Sequence, residues 1–223
     1  FSPITPGVAG AGAVRSGMAR LPRPFVFLLM VLITGGHMPM MAHAMPLRLS
    51  TWNLDWLTTR PAGDRALPDD VRPRDMADIV RLARYAARLH PDIAALEEVD
   101  TPELAARLFP APDYRILISG DGVVQKTALA VRDGLIVTRH PDVRAIDVYP
   151  PDAPRHLRSG LDVTVGDGRA SLRVLVIHLK AGCRDGAPDD RRPACRTLYR
   201  QVAALTDWIM ERQDEGEPFA IMG

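Results

Sequence analysis

The order of strand-type and helix-type stretches narrows the fold of this chain more than any other feature. Residues 47–53 alternate apolar and polar side chains, the period of a half-buried strand. Residues 55–73 are rich in Pro, Gly and Asp and are expected to form a loop. A helix is expected over 74–89, where Met76, Ile79, Val80, Ala83 and Ala86 share one face and arginines take the other. His90-Pro91 ends it, because the residue before a proline resists the α region. Residues 93–96 form a short buried strand. Thr101-Pro102-Glu103 then supplies an N-cap, a proline at the first helical position and an acid in the first turn, so a short helix follows. Strand-type runs come next without an intervening helix, at 114–119, 128–132, 135–139, 161–165 and 172–179. A final helix covers 196–213, with Leu198, Val202, Leu205 and Ile209 on its expected buried stripe, and Phe219–Met222 returns to strand. A single parallel sheet needs helices between its strands throughout. This order instead fits two packed sheets with helices outside.

No glycine-rich phosphate loop opens any of these helices, so nucleotide-cofactor chemistry has no support. The two cysteines, Cys183 and Cys195, are too few for a four-cysteine zinc site. Formal charge is +1, but residues 1–44 carry Arg15, Arg20 and Arg23 and no acid, which leaves residues 45–223 at −2. The main body therefore has no bulk attraction for nucleic acid, and any such contact requires a local basic groove.

The first 44 residues read as a targeting segment. Met18 is the expected start, Arg20 and Arg23 form a positive region, residues 25–33 are unbroken apolar, and Ala42-His43-Ala44 fits a small-x-small cleavage site. The apolar run falls short of the roughly 20 residues that cross a bilayer. Export is the expectation and an N-terminal membrane anchor the alternative. The expected division is residues 1–44 as upstream sequence and export signal, and 45–223 as one domain, cut short at its C-terminal end because an apolar strand reaches a turn at Gly223.

Polar residues stand where strands are expected to end: Asn53, the Glu97-Glu98 pair, and His178 after the apolar run of residues 174–177. Each has an ordinary structural reading, as turn, solvated edge and surface residue respectively. Together they fall at strand ends, where ligand crevices of layered α/β folds form.

The strings Leu49-Ser50-Thr51-Trp52-Asn53-Leu54, Asp92-Ile93-Ala94-Ala95-Leu96-Glu97-Glu98-Val99 and Val176-Ile177-His178-Leu179-Lys180 resemble motifs of the endonuclease/exonuclease/phosphatase superfamily. Residues 219–223 look like the strand that precedes the family's Gly-Asp-x-Asn motif. The resemblance covers residues 47–223. It implies a four-layered α/β sandwich of two mixed sheets flanked by helices, incomplete at the C-terminus. It also implies a divalent-metal-dependent phosphodiester hydrolase using Mg²⁺, Mn²⁺ or Ca²⁺, acting as a monomer on nucleic acid or another phosphoester.

By the same resemblance, Glu98 is the metal carboxylate, Asn53 helps hold metal or phosphate, His178 serves phosphate binding or proton transfer, and Arg158 faces the phosphate. These residue types suit the chemistry. A hard cation takes carboxylate oxygens, and an imidazole is easily poised near neutrality. Three departures stand out. Glu97 occupies a position where the family usually has Gln. Gln125 lies where nuclease members place a carboxylate that orients the histidine. The Asp-x-Asn motif and a late Asp-His pair are expected beyond Gly223, so residues 45–223 alone are expected to be inactive. A phospholipid or inositol-phosphate esterase of the same fold is an alternative, and so is an exported binding module without catalysis. An even cysteine count and an export signal predict a Cys183–Cys195 disulfide across the polar loop 184–194.

Overall fold

The computed structural model describes residues 46–184 and 190–223. The export signal expected in residues 1–44, and part of the 184–194 loop, lie outside the described residues. Within them the chain runs β1 (Leu49–Leu57), α1 (Met76–Leu89), β2 (Ile93–Val99), α2 (Pro102–Leu108), β3 (Tyr114–Ile118), β4 (Lys126–Arg132) and β5 (Ile136–Arg139). After a 3-10 turn (Arg144–Ile146) come β6 (Leu161–Gly166), β7 (Ser171–Val176), α3 (Pro193–Asp214) and β8 (Phe219–Met222).

These strands form two mixed sheets of four, ordered β1-β2-β4-β3 and β5-β6-β7-β8. In each, one pair is parallel (β1 with β2, β7 with β8) and the other pairs are antiparallel. The period-two alternation of buried strands builds the layers. On β2, Ile93 and Ala95 face the second sheet, while Ala94 and Leu96 face α1 and α2. On β7, Val174 and Val176 face the first sheet and Leu175 faces α3 and Trp208. Three apolar layers therefore separate helices, sheet, sheet and helix, and the four-layered sandwich expected from the sequence is present.

Several boundaries and faces differ from the expectation. β1 continues to Leu57, into residues assigned to the loop, because Asp55 and Trp56 take positive φ (46° and 58°) and carry the strand across a bulge. Helix α1 begins at Met76 under a capping box made by Asp75 and Asp78. Met76 and Val80 are exposed, and Leu82 packs on the core with Ile79 and Ala86 instead. On α3 the buried stripe includes Cys195, Gln201, Trp208 and Arg212, and Val202 is exposed. Polar residues occupy that stripe because their groups are satisfied there. Gln201 accepts from the Lys180 N–H (2.8 Å) and donates to the Ile146 carbonyl (3.0 Å), and Arg212 pairs with Glu215. A hydrophobicity pattern does not register such residues.

Candidate active site

Two sheets meet at this site, each contributing half. A regular β2 would send Glu97 toward the second sheet, in register with Ile93 and Ala95, and Glu98 back toward the helices. Glu98 instead has φ 62°, and the β2–β4 ladder is interrupted between Leu96 and Val99. Positive φ is uncommon for a residue with a Cβ and costs on the order of 1–3 kcal/mol. Here it re-aims the Glu98 side chain. β1 breaks register at the matching place, between Asn53 and Leu57. The Asn53 Oδ1 accepts from the Asp55 N–H (2.8 Å), its Nδ2 donates to Glu98 Oε1 (3.1 Å), and the Trp56 N–H donates to Glu98 Oε2 (3.0 Å).

The other half comes from the second sheet. β7 ends at Val176, so His178 lies beyond the ladder and not inside the strand expected over 172–179. It keeps the parity of Val174 and Val176 and points at the first sheet, where Nε2 lies 3.0 Å from Glu98 Oε1. An ionised carboxylate only accepts, so the proton on this edge belongs to Nε2. Arg158 secures the histidine from behind, donating through Nε to the His178 carbonyl (2.8 Å) and more weakly through Nη1 to Gln125 Oε1 (3.4 Å). Burial lowers the Arg158 pKa, against the opposing pull of Glu98 and Asp121.

Burial by itself would raise Glu98. Hydrogen bonds from His178, Gln125 and Asn53, with the field of His178, outweigh it and hold this carboxyl at a pKa of about 2. Glu97, in contrast, is 3% exposed. Burial raises its pKa, opposed by the Thr51 hydroxyl, which donates at 2.7 Å, and by His178. The adjacent glutamates are thus driven apart, one ionised at the site's surface and one buried behind it. Gln125 bonds Glu98 and Arg158, so its amide braces the acid and the arginine.

Asn53, Glu98, His178 and Arg158 are brought together by the fold. Cys183 and Cys195 are joined by a disulfide that ties the segment after His178 to the first turn of α3. The described residues contain no group of three or more His, Cys, Asp or Glu able to hold a metal ion. The donor set at Glu98 is one anionic oxygen ligand beside an amide. Such a set suits a hard divalent cation that keeps most of its waters and takes one or two carboxylates plus substrate phosphate. Sequence reasoning missed the Trp56 N–H and the bracing role of Gln125. The first depends on the bulge, which nothing local in the sequence marks.

This arrangement of two mixed sheets and flanking helices recurs in solved structures. Among solved structures, TDP2 from C. elegans matches with a TM-score of 0.50 and 18% identity, over 76% of this chain and 44% of that one. The human Nocturnin catalytic domain with a bound sulfate (TM-score 0.47, 16% identity, 79% and 63% covered) is also similar. So is the 3′ phosphatase NExo from Neisseria bound to a product DNA hairpin (0.44, 19%, 76% and 53%). The likeness, at under one-fifth identity, is one of fold, and the chain spans less than half the length of the C. elegans structure. The sequence matches no protein-family model and no curated protein.

Proposed function

We propose that this chain carries the catalytic face of a divalent-metal-dependent phosphodiesterase, an exported nuclease of the endonuclease/exonuclease/phosphatase superfamily. The observation that carries the reading is the contact of Glu98 from one sheet with His178 from the other. Asn53 and a backbone N–H on the same carboxylate support it. An acid held ionised, an imidazole N–H and a guanidinium within one cluster are what a phosphodiester asks of a protein. Glu98 and Asn53 would hold the metal, preferably Mg²⁺. Bound there, such an ion would supply polarisation of a phosphoryl oxygen and offset charge on the leaving oxygen.

The chain's own residues then do the positioning. His178 is 17% exposed at its side chain, so its Nε2–H can turn from Glu98 to a phosphate oxygen. Arg158 keeps the His178 backbone in place and adds positive charge beside the site. Asn53, bonded at both ends of its amide, fixes the rotamer of Glu98. The disulfide supports export, since such bonds persist in oxidising compartments.

The test uses the product of the complete reading frame that encodes this chain. Substrates are bis(p-nitrophenyl) phosphate, plasmid DNA, RNA, sphingomyelin and inositol phosphates, each with Mg²⁺, Mn²⁺ or Ca²⁺. Diester hydrolysis abolished by Glu98→Gln and lowered at least a hundredfold by His178→Ala is expected of the complete product. A complete product that cleaves none of these substrates overturns the reading. One that cleaves only lipid or inositol substrates moves it to the alternative esterase.

A further inference from the structure

Beside Arg158 and Gln125 the surface opens into a cleft of about 920 Å³ whose far walls are not used by the chemistry above. Three loops converge on it: the one after β1, the one joining β3 to β4, and the long segment between β5 and β6. Arg65, Arg144 and Arg155 line it, and among the described residues none of their side chains makes a hydrogen bond or ion pair. Free guanidinium groups are ordinary on an open surface. Three from two segments far apart in the chain, around one concavity, are less so.

The acids of the same wall are already engaged. Asp121 accepts from Ser119 (2.7 Å) and from the Ser159 hydroxyl and N–H (2.7 and 2.9 Å). Asp142 pairs with Arg139 and accepts from the Gly120 N–H. Asp147 accepts from the Tyr149 and Leu157 N–H groups and binds His156 Nδ1 at 2.7 Å. That last contact fixes the imidazole ring, its Nδ1–H turned to the carboxylate. The walls thus present uncommitted guanidinium donors, while their carboxylates face the protein. Trp56 and Tyr149, both partly exposed, add flat faces at the rim.

We propose that this cleft is a second phosphate-binding subsite, in which Arg65, Arg144 and Arg155 take a phosphate that flanks the scissile one. The inference rests on the phosphodiesterase reading of the adjoining site. The ligand chemistry is a second phosphate at a fixed reach from the first. A single-stranded polynucleotide is the source the cleft favours, because ring faces for base stacking stand among the phosphate donors. The local basic groove that the acidic body requires for nucleic acid is this one.

Binding is measured with the complete protein in EDTA, so that turnover plays no part, by fluorescence anisotropy of a labelled twelve-residue oligothymidylate. Removing two phosphate contacts with Arg144→Ala/Arg155→Ala is expected to weaken binding at least tenfold. It should also flatten the slope of log K against log salt by about 1.4, the single-strand value for two contacts. Arg84→Ala/Arg169→Ala removes the same charge from α1 and from the far turn of β6 and β7, and is expected to leave both quantities unaltered. Equal losses in the two double variants would make the effect one of net charge and overturn the subsite. No binding by the unaltered protein, or no loss in Arg144→Ala/Arg155→Ala, overturns it as well. Inositol hexakisphosphate is the second probe. If its affinity falls in Arg144→Ala/Arg155→Ala while that of the oligonucleotide does not, the polynucleotide assignment fails. Oligonucleotide binding that follows the arginines in a protein without hydrolytic activity would sink the catalytic reading and leave the subsite standing.

Discussion

Asp162 is a sharp place to test how the second sheet is held to its helix. Leu161, Val163 and Val165 of β6 point into the core between the sheets, and Asp162 points the other way, under α3. Its side chain is 4% exposed. It accepts from Arg173 through Nε and Nη2 (2.5 and 2.9 Å) and from the Trp208 indole N–H (3.0 Å). Arg173 is itself only 12% exposed, and its other carboxylate, Glu217, lies at 3.3 Å. The hydrogen bond to Asp162 raises the Arg173 pKa against the cost of burial. Asp162→Asn keeps the shape and one acceptor but leaves the guanidinium buried without its principal counter-charge. Breaking a buried pair from one side costs about 3–5 kcal/mol, and a domain of this size loses roughly 2–4 °C per kcal/mol, so a fall of about 10 °C in Tm is expected. Urea unfolding followed by tryptophan fluorescence gives the free energy directly. The second variant, Asp162→Asn/Arg173→Met, removes both charges and should recover at least half the loss, since a buried pair replaced by apolar groups is often neutral. A single-variant cost below about 1 kcal/mol, or a double variant no better than the single, would refute the reasoning.

Other expectations are simpler. Replacing Cys183 and Cys195 by Ser and Ala opens a loop with a sequence separation of 12, and the urea midpoint should drop by the equivalent of about 3 kcal/mol. Gly166→Ala places a methyl group 2.6 Å from the Ala170 carbonyl oxygen in the β6–β7 turn. A loss of about 1–3 kcal/mol is expected, and an unaltered Tm would show that the turn yields. Asp75→Ala removes the side-chain half of the capping box on α1 and should cost about 1 kcal/mol in the same urea measurement.

The layers were legible because buried strands alternate, as in Ala94 and Leu96 against Ile93 and Ala95, and because the helices announce their starts through Asp75 and the Thr101-Pro102 pair. Burial on α3 was less so. Gln201 and Arg212 sit inside because neighbours from distant segments satisfy them, and a hydropathy pattern holds no record of those neighbours. At the site, the short motifs singled out Asn53, Glu98 and His178 as candidates but not how they meet. A strand read with regular parity sends Glu98 away from His178, and only the left-handed backbone at Glu98 turns it back. Arg65, Arg144 and Arg155 stand in segments up to ninety positions apart among 26 arginines, so nothing short of folding singles them out.

The pairing of Glu98 with His178 crosses the gap between the sheets, and this makes the chemistry a gauge of assembly. Neither sheet can hold a working site alone, however well formed its strands. Slipping one layer past the other by a single residue step, about 3.3 Å, is as large as the contact itself and would silence the pair. Such a slip would leave secondary structure intact, so circular dichroism would miss what activity reports. Loosely packed forms of the protein, as under mild denaturant, are therefore expected to be mute before they are unfolded.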